Sequence, residues 1–153
     1  MLKGIHPLLT ADLLHALAEM GHGDTIALVD ANFPAASNAR RLLHVAGATA
    51  PEVLEAVLTV LPLEAGAEPA AITMAPIDPE IGIPEAVAAF AAVFTACDLA
   101  DLEIASVPRE AFYARAREAF AVVLTGERRA YGNILLVKGV IADAGDTAPW
   151  LDR

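Results

Sequence analysis

His22 stands between two glycines, in the run Gly21-His22-Gly23-Asp24. Flanking glycines open backbone conformations closed to other residues and leave the ring loosely packed. An imidazole on such a loop can give or take a proton. The plainer reading is a solvated loop histidine. Asp30 ends the apolar run Thr25-Ile26-Ala27-Leu28-Val29, where an aspartate either binds a ligand or caps a loop. Thr125-Gly126-Glu127 follows a second apolar run, and Arg109 opens a helical segment after Val107. In open α/β sheets ligands collect at the carboxyl ends of strands, which singles out these positions. Tyr131-Gly132-Asn133 reads as an ordinary turn when taken alone.

Other chemistries fit less well. Gly21-His22-Gly23 contains G-x-G, but it joins a helix to a following strand and lacks the third glycine. A dinucleotide fingerprint runs strand, turn, helix, so nucleotide binding is not expected. His6, His15, His22 and His44 have no metal-site spacing, and neither C-x-x-C nor H-E-x-x-H occurs. The single cysteine, Cys97, forms no disulfide within the chain and fits a reducing compartment. Placed among alanines on a helix, it reads as an inert, buried thiol.

The elements that must position these residues alternate along the chain. Thr10 caps a helix over about 11–20 with the stripe Leu13, Leu14 and Leu17, and Gly21 suits a left-handed position past its end. The strand 25–29 follows, then an irregular segment 31–38, a short strand 42–45, and a helix 51–58 that Pro51 opens. Strand 71–74, helix 85–97, strand 102–107, helix 108–120 and the strands 121–124 and 133–137 complete the pattern. Helices alternating with short, mostly apolar strands predict one α/β domain whose sheet is covered on both faces. Residues 1–140 form that domain, and 141–153 read as a C-terminal tail.

Composition limits the partners. Hydrophobic residues make up 56% of 153 residues, more than a typical single domain needs, which points to surface buried against other subunits. The longest charge-free helical stretch, 86–97, is too short to span a bilayer, and residues 1–7 lack the apolar core of a secretory leader. Twenty Asp and Glu against ten Lys and Arg give a net charge of −10, which disfavours nucleic acid as a partner.

Several segments together are more specific. Met1-Leu2-Lys3-Gly4, Ala18-Glu19-Met20-Gly21-His22-Gly23-Asp24 and Asp30-Ala31-Asn32-Phe33-Pro34-Ala35 occur in order. Ala111-Phe112-Tyr113-Ala114-Arg115-Ala116, Thr125-Gly126-Glu127-Arg128 and Tyr131-Gly132-Asn133-Ile134-Leu135-Leu136 follow. This series resembles the L-fucose mutarotase and D-ribose pyranase family over about residues 1–140. The resemblance implies a three-layer α/β/α domain with a mainly parallel sheet, assembled into a ring, commonly a homodecamer, with sites where subunits meet. It implies a cytoplasmic isomerase, with His22 as proton donor and Asp30, Arg109, Tyr131, Gly132 and Asn133 as sugar-binding positions. Arg109, where the pyranase branch usually has histidine, favours L-fucose as the substrate. D-ribose pyranase activity and a non-catalytic sugar-binding role are the competing readings. Ala36 departs from relatives that carry a histidine in that loop.

The implied reaction needs only proton transfers. Exchanging α and β anomers means protonating the ring oxygen, deprotonating the anomeric hydroxyl, rotating the freed aldehyde and reclosing. No electron moves, so neither metal nor organic cofactor is expected. On this reading Asp30 accepts hydrogen bonds from sugar hydroxyls or orients His22, within a mostly apolar cleft.

Overall fold

The run Thr25–Val29 forms β1, one of the two central strands of a six-stranded sheet in the computed structural model, which describes residues 2–66 and 69–141. The chain order is α1 (Ala11–Glu19), β1, α2 (Ala35–Asn38), β2 (Leu42–Val45), α3 (Ala50–Leu58) and β3 (Ala71–Met74). A single 3-10 turn (Pro79–Ile81), α4 (Glu85–Ala96), β4 (Ile104–Val107), α5 (Arg109–Glu118), β5 (Ala121–Thr125) and β6 (Ile134–Val137) follow. Across the sheet the order is β2-β5-β1-β6-β3-β4. Five strands run parallel, and β6 alone runs against its neighbours β1 and β3. The mainly parallel α/β sheet expected from the sequence is therefore present. The expected tail lies outside the described residues beyond Ile141.

Side chains alternate across a strand, and here both faces are apolar. Ile26, Leu28, Val123, Ile134 and Leu136 point into a core with α1, α3 and α4, which contribute Leu13, Leu54, Phe90 and Phe94. Ala27, Val29, Val122, Ile72 and Leu135 point the other way, onto Phe33 and the α5 residues Phe112 and Ala116. Phe33 meets Phe112 and Tyr113 edge to face, at centroid distances of 6.0 and 5.2 Å. Each fully buried Leu, Ile or Phe stabilises the fold by about 1.5–3 kcal/mol relative to exposure.

Local signals behave as the sequence indicates, with two corrections. Thr10 Oγ1 accepts from Leu13 N–H at 3.2 Å, and Glu52 Oε2 accepts from Thr49 N–H at 2.7 Å, closing the first turns of α1 and α3. Gly21 does not take the left-handed conformation; Met20 ends α1 in an extended one, and Gly23 (φ 83°) makes the turn. Part of the segment 31–38 is helical, because Ala35–Asn38 closes one turn beneath Phe33.

Truncating Phe90, which is fully buried between the sheet and α3, leaves a cavity that rigid strands cannot close. Phe90→Ala is expected to cost about 3–5 kcal/mol, read as a lower denaturant midpoint with an unchanged slope.

Candidate active site

Parallel strands place their carboxyl ends, and the loops that follow, along one edge of the sheet. Asp30 leaves β1 at that edge, and Asn133 enters the antiparallel β6 there, since Leu28 pairs with Ile134. The two interlock: Asp30 N–H donates to Asn133 Oδ1 (3.0 Å), and Asn133 Nδ2 donates to Asp30 Oδ2 (2.7 Å). Asn32 N–H adds a third bond, to Asp30 Oδ1 (3.0 Å). Burial nevertheless raises the Asp30 carboxyl above the ordinary aspartate range, against these hydrogen bonds and with a smaller push from Glu127.

Glu127 lies behind this pair and is 1% exposed. Arg129 grips it with two parallel bonds, Nε to Oε1 (2.9 Å) and Nη2 to Oε2 (2.8 Å), and its own N–H adds another to Oε1. The guanidinium holds the Glu127 carboxyl below the ordinary glutamate range. Ala31 N–H donates to the Glu127 carbonyl at 2.8 Å, which ties the Asp30 loop to the same support. Gly132 fills the space between: a Cβ there would stand 2.5 Å from Glu127 Cγ and 3.4 Å from Asp30 Cβ. Glycine is thus required by close approach, which the turn reading of Tyr131-Gly132-Asn133 does not capture. Tyr131 takes φ 60°, rare for a residue with a side chain, and its hydroxyl accepts from Ile77 N–H at 3.3 Å.

Arg109 starts α5 at the same edge but follows β4, three strands away from β1, or about 14 Å at roughly 4.8 Å per strand. It is exposed, and no ion pair holds it among the described residues.

His22 lies elsewhere. It precedes β1 whereas Asp30 follows it, and the five residues of β1 alone rise about 16 Å at roughly 3.3 Å each. Within one chain Asp30 therefore does not reach the imidazole, because the two stand at opposite ends of β1. Glu64 is the partner of His22: its Oε2 meets His22 Nε2, while its Oε1 accepts from Ala65 and Gly66 N–H. These bonds hold the Glu64 carboxyl below its ordinary range. A carboxylate at Nε2 leaves Nδ1 as the nitrogen free to exchange a proton.

The backbone beneath His22 is clamped. Gly23 N–H donates to the Lys138 carbonyl (2.8 Å) and Lys138 N–H to the Asp24 carbonyl (2.9 Å). Lys138 Nζ binds the Leu17 and Met20 carbonyls at the end of α1. The imidazole itself remains 59% exposed. Sequence reasoning passed over Glu64 and Arg129. Glu64 is 42 residues from His22, and no spacing rule links them.

Cavities of about 800 and 570 Å³ open at the amino end of the sheet, beside Glu64 and beside Lys138, and one of about 480 Å³ lies beside Met74, Pro76 and Ile83 after β3; Asp30 lines none of these three. No cluster of three or more metal-ligating side chains occurs among the described residues, nor any helix long and apolar enough to cross a membrane.

Comparison with known proteins supplies the remaining constraint. Residues 3–141 match the family described as the RbsD / FucU transport protein family. The chain is 44% identical to the fucose mutarotase of Homo sapiens over 147 residues, covering 92% of this chain and 95% of that one. Among solved structures it resembles the fucose mutarotase of Streptococcus pneumoniae in complex with L-fucose. That match has a TM-score of 0.86 and 37% identity, over 92% of this chain and all of that one. Bacillus subtilis RbsD complexed with D-ribose shares the fold, with a TM-score of 0.72 at 24% identity, over 93% of this chain and all of that one.

The Glu127–Arg129 pair has a definite pH signature. Its folded pKa is depressed, so its stabilisation is complete above the ordinary glutamate value of 4.5 and is lost as pH falls through the lower folded value. Glu127→Gln is expected to cost about 1–3 kcal/mol at neutral pH and to flatten the acid limb of the stability curve, measured by denaturant titration at several pH values.

Proposed function

The chain belongs to the RbsD / FucU transport protein family, and we propose on that premise that it is an L-fucose mutarotase exchanging the α and β anomers of the free sugar. The observation that carries this reading is the pairing of two halves on a chain so similar to a fucose mutarotase: an exposed His22–Glu64 proton-transfer pair and a buried Asp30–Asn133 cradle.

Ring opening requires a proton at the ring oxygen and removal of one from the anomeric hydroxyl. His22, the proton donor, works through Nδ1, while Glu64 at Nε2 stabilises the charge on the ring. Asp30 accepts hydrogen bonds from sugar hydroxyls, and Asn133 fixes the orientation of its carboxylate. Gly132 sets the backbone of the cradle, Tyr131 offers a ring to the apolar face of the sugar, and Arg109 binds hydroxyls from the adjoining edge. The freed aldehyde then rotates and recloses on its other face.

One chain cannot apply both halves to one sugar, because β1 holds them apart. The site is therefore composite: His22 and Glu64 of one copy meet Asp30, Tyr131 and Asn133 of a neighbour. Such head-to-tail contacts close into a ring. We take the assembly to be a homodecamer, working in the cytoplasm as the lone thiol of Cys97 suits.

Saturation-transfer NMR on L-fucose tests the reaction. The wild-type protein exchanges the anomers, and faster than it exchanges the pyranose and furanose forms of D-ribose; an unchanged fucose rate in His22→Ala would remove His22 from the mechanism. Co-expressing His22→Ala with Asp30→Ala tests the shared site. Random pairing restores one complete site in four, so about a quarter of wild-type activity returns, although each variant alone is inactive. No recovery means that each chain supplies its own complete site. The acid limb of kcat/KM should fall above the ordinary aspartate value of 3.8, since burial raises Asp30 and only its ionised form accepts two hydroxyl protons.

A further inference from the structure

Asp30 and Glu127 are the two carboxylate residues buried among the described residues, 6% and 1% exposed, and they are neighbours. A Cβ built on Gly132 would lie within 3.4 Å of a side-chain carbon of each. Two carboxylates so placed in apolar surroundings do not ionise independently, because each negative charge disfavours the other. One of them keeps its proton unless a cation is supplied.

Arg129 is that cation, and it serves one side only. Its two parallel bonds and its backbone N–H all go to Glu127. Asp30 is held by neutral donors, the Asn32 N–H and the Asn133 amide. Glu127 is the charged side chain that bears on Asp30, and it acts against ionisation. Arg109 starts α5 three strands away from β1, and the exposed Arg128 makes no ion pair among the described residues, so neither stands in for Arg129. Glu52, at the start of α3, adds a negative charge near Glu127, and Glu85 meets Arg129 Nη1 at 3.5 Å. Both are exposed, and water and salt screen them.

We propose that Arg129 is a positioning residue for the reaction: by cancelling the Glu127 charge beside Gly132, it leaves Asp30 an ionised acceptor seated on Asn133. That role rests on the mutarotase reading above, whereas the charge balance itself belongs to the fold. With Arg129 lost, the two carboxylates share one proton too few for their surroundings. The proton then goes to Asp30 or Glu127, and Asp30 has no cation of its own to resist it. A protonated Asp30 loses an acceptor that sugar hydroxyls use.

Wild type, Glu127→Gln, Arg129→Met and the double variant form a charge cycle that tests this. NMR of the Asp30 carboxyl carbon, identified by its loss in Asp30→Asn, reads the charge state directly in sugar-free protein. Glu127→Gln leaves Asp30 beside an unopposed guanidinium and should lower its midpoint by about one pH unit. Arg129→Met should raise the midpoint by about one pH unit, and the double variant should return it close to wild type. The acid limb of kcat/KM for L-fucose exchange should move in parallel. Below the midpoints, Arg129→Met is then about tenfold slower than wild type and Glu127→Gln about tenfold faster. A loss of packing alone would lower the rate at every pH and give the two single variants the same sign. Should Arg129→Met fail to fold, Glu127→Gln decides by itself. A midpoint that stays or rises in Glu127→Gln overturns the proposal, and so does a midpoint that falls while the acid limb of exchange stays in place. Midpoints that move as expected in a protein whose wild type exchanges no fucose anomers defeat the mutarotase reading and leave the charge balance intact.

Discussion

Strand β1 fixes the distance between the two chemically competent ends of this molecule. It is hydrogen-bonded to β5 on one side and β6 on the other, with helices over both faces, so it can neither bend nor slide. A one-residue slip would turn Ile26 and Leu28 out of one core and Ala27 and Val29 out of the other. His22 and Asp30 are anchored at its two ends. On the proposed mechanism, chemistry that needs both is supplied between copies.

The cradle around Asp30 shows how a polar group is kept inside an apolar fold. Burial alone favours the neutral acid, yet every acceptor position used by the carboxylate has a fixed donor, and no buried side-chain N or O lacks a hydrogen-bond partner among the described residues. Glu127 and Arg129 hold the next layer. Their charges neutralise one another, and Gly132 lets the Tyr131–Asn133 backbone press against them. A carboxylate so held needs little reorganisation to accept further hydrogen bonds, as its proposed role in binding sugar hydroxyls requires. The exposed His22–Glu64 pair is built on opposite terms, with an open ring on a clamped turn, which suits the proton-donor role proposed for it.

The apolar composition acquires two destinations. Most of it covers a sheet buried on both faces, where runs such as Ala121-Val122-Val123-Leu124 have no polar alternation. Among the described residues, Ile77, Ile81 and Ile83 beyond one end of the sheet and Val60, Val140 and Ile141 beyond the other remain exposed. A net charge of −10 counters the tendency of such patches to associate without order.

Much of this was legible in the chain itself. Thr10, Pro51 and the unbroken apolar runs marked the helices and strands, because capping and burial act over a few neighbouring residues. Asp30, Tyr131 and Asn133 could be singled out, the first by its place at a strand end. Their mutual bonds depended on β6 running against β1, a long-range pairing that no local pattern encodes. For the same reason Glu64 was invisible as the partner of His22, and Arg129 as the clamp on Glu127. Residue types and their order determined the fold class and the groups proposed to move protons or hold a sugar. Only the tertiary structure decided which of them meet, because strand direction and strand length set distances that sequence separation does not.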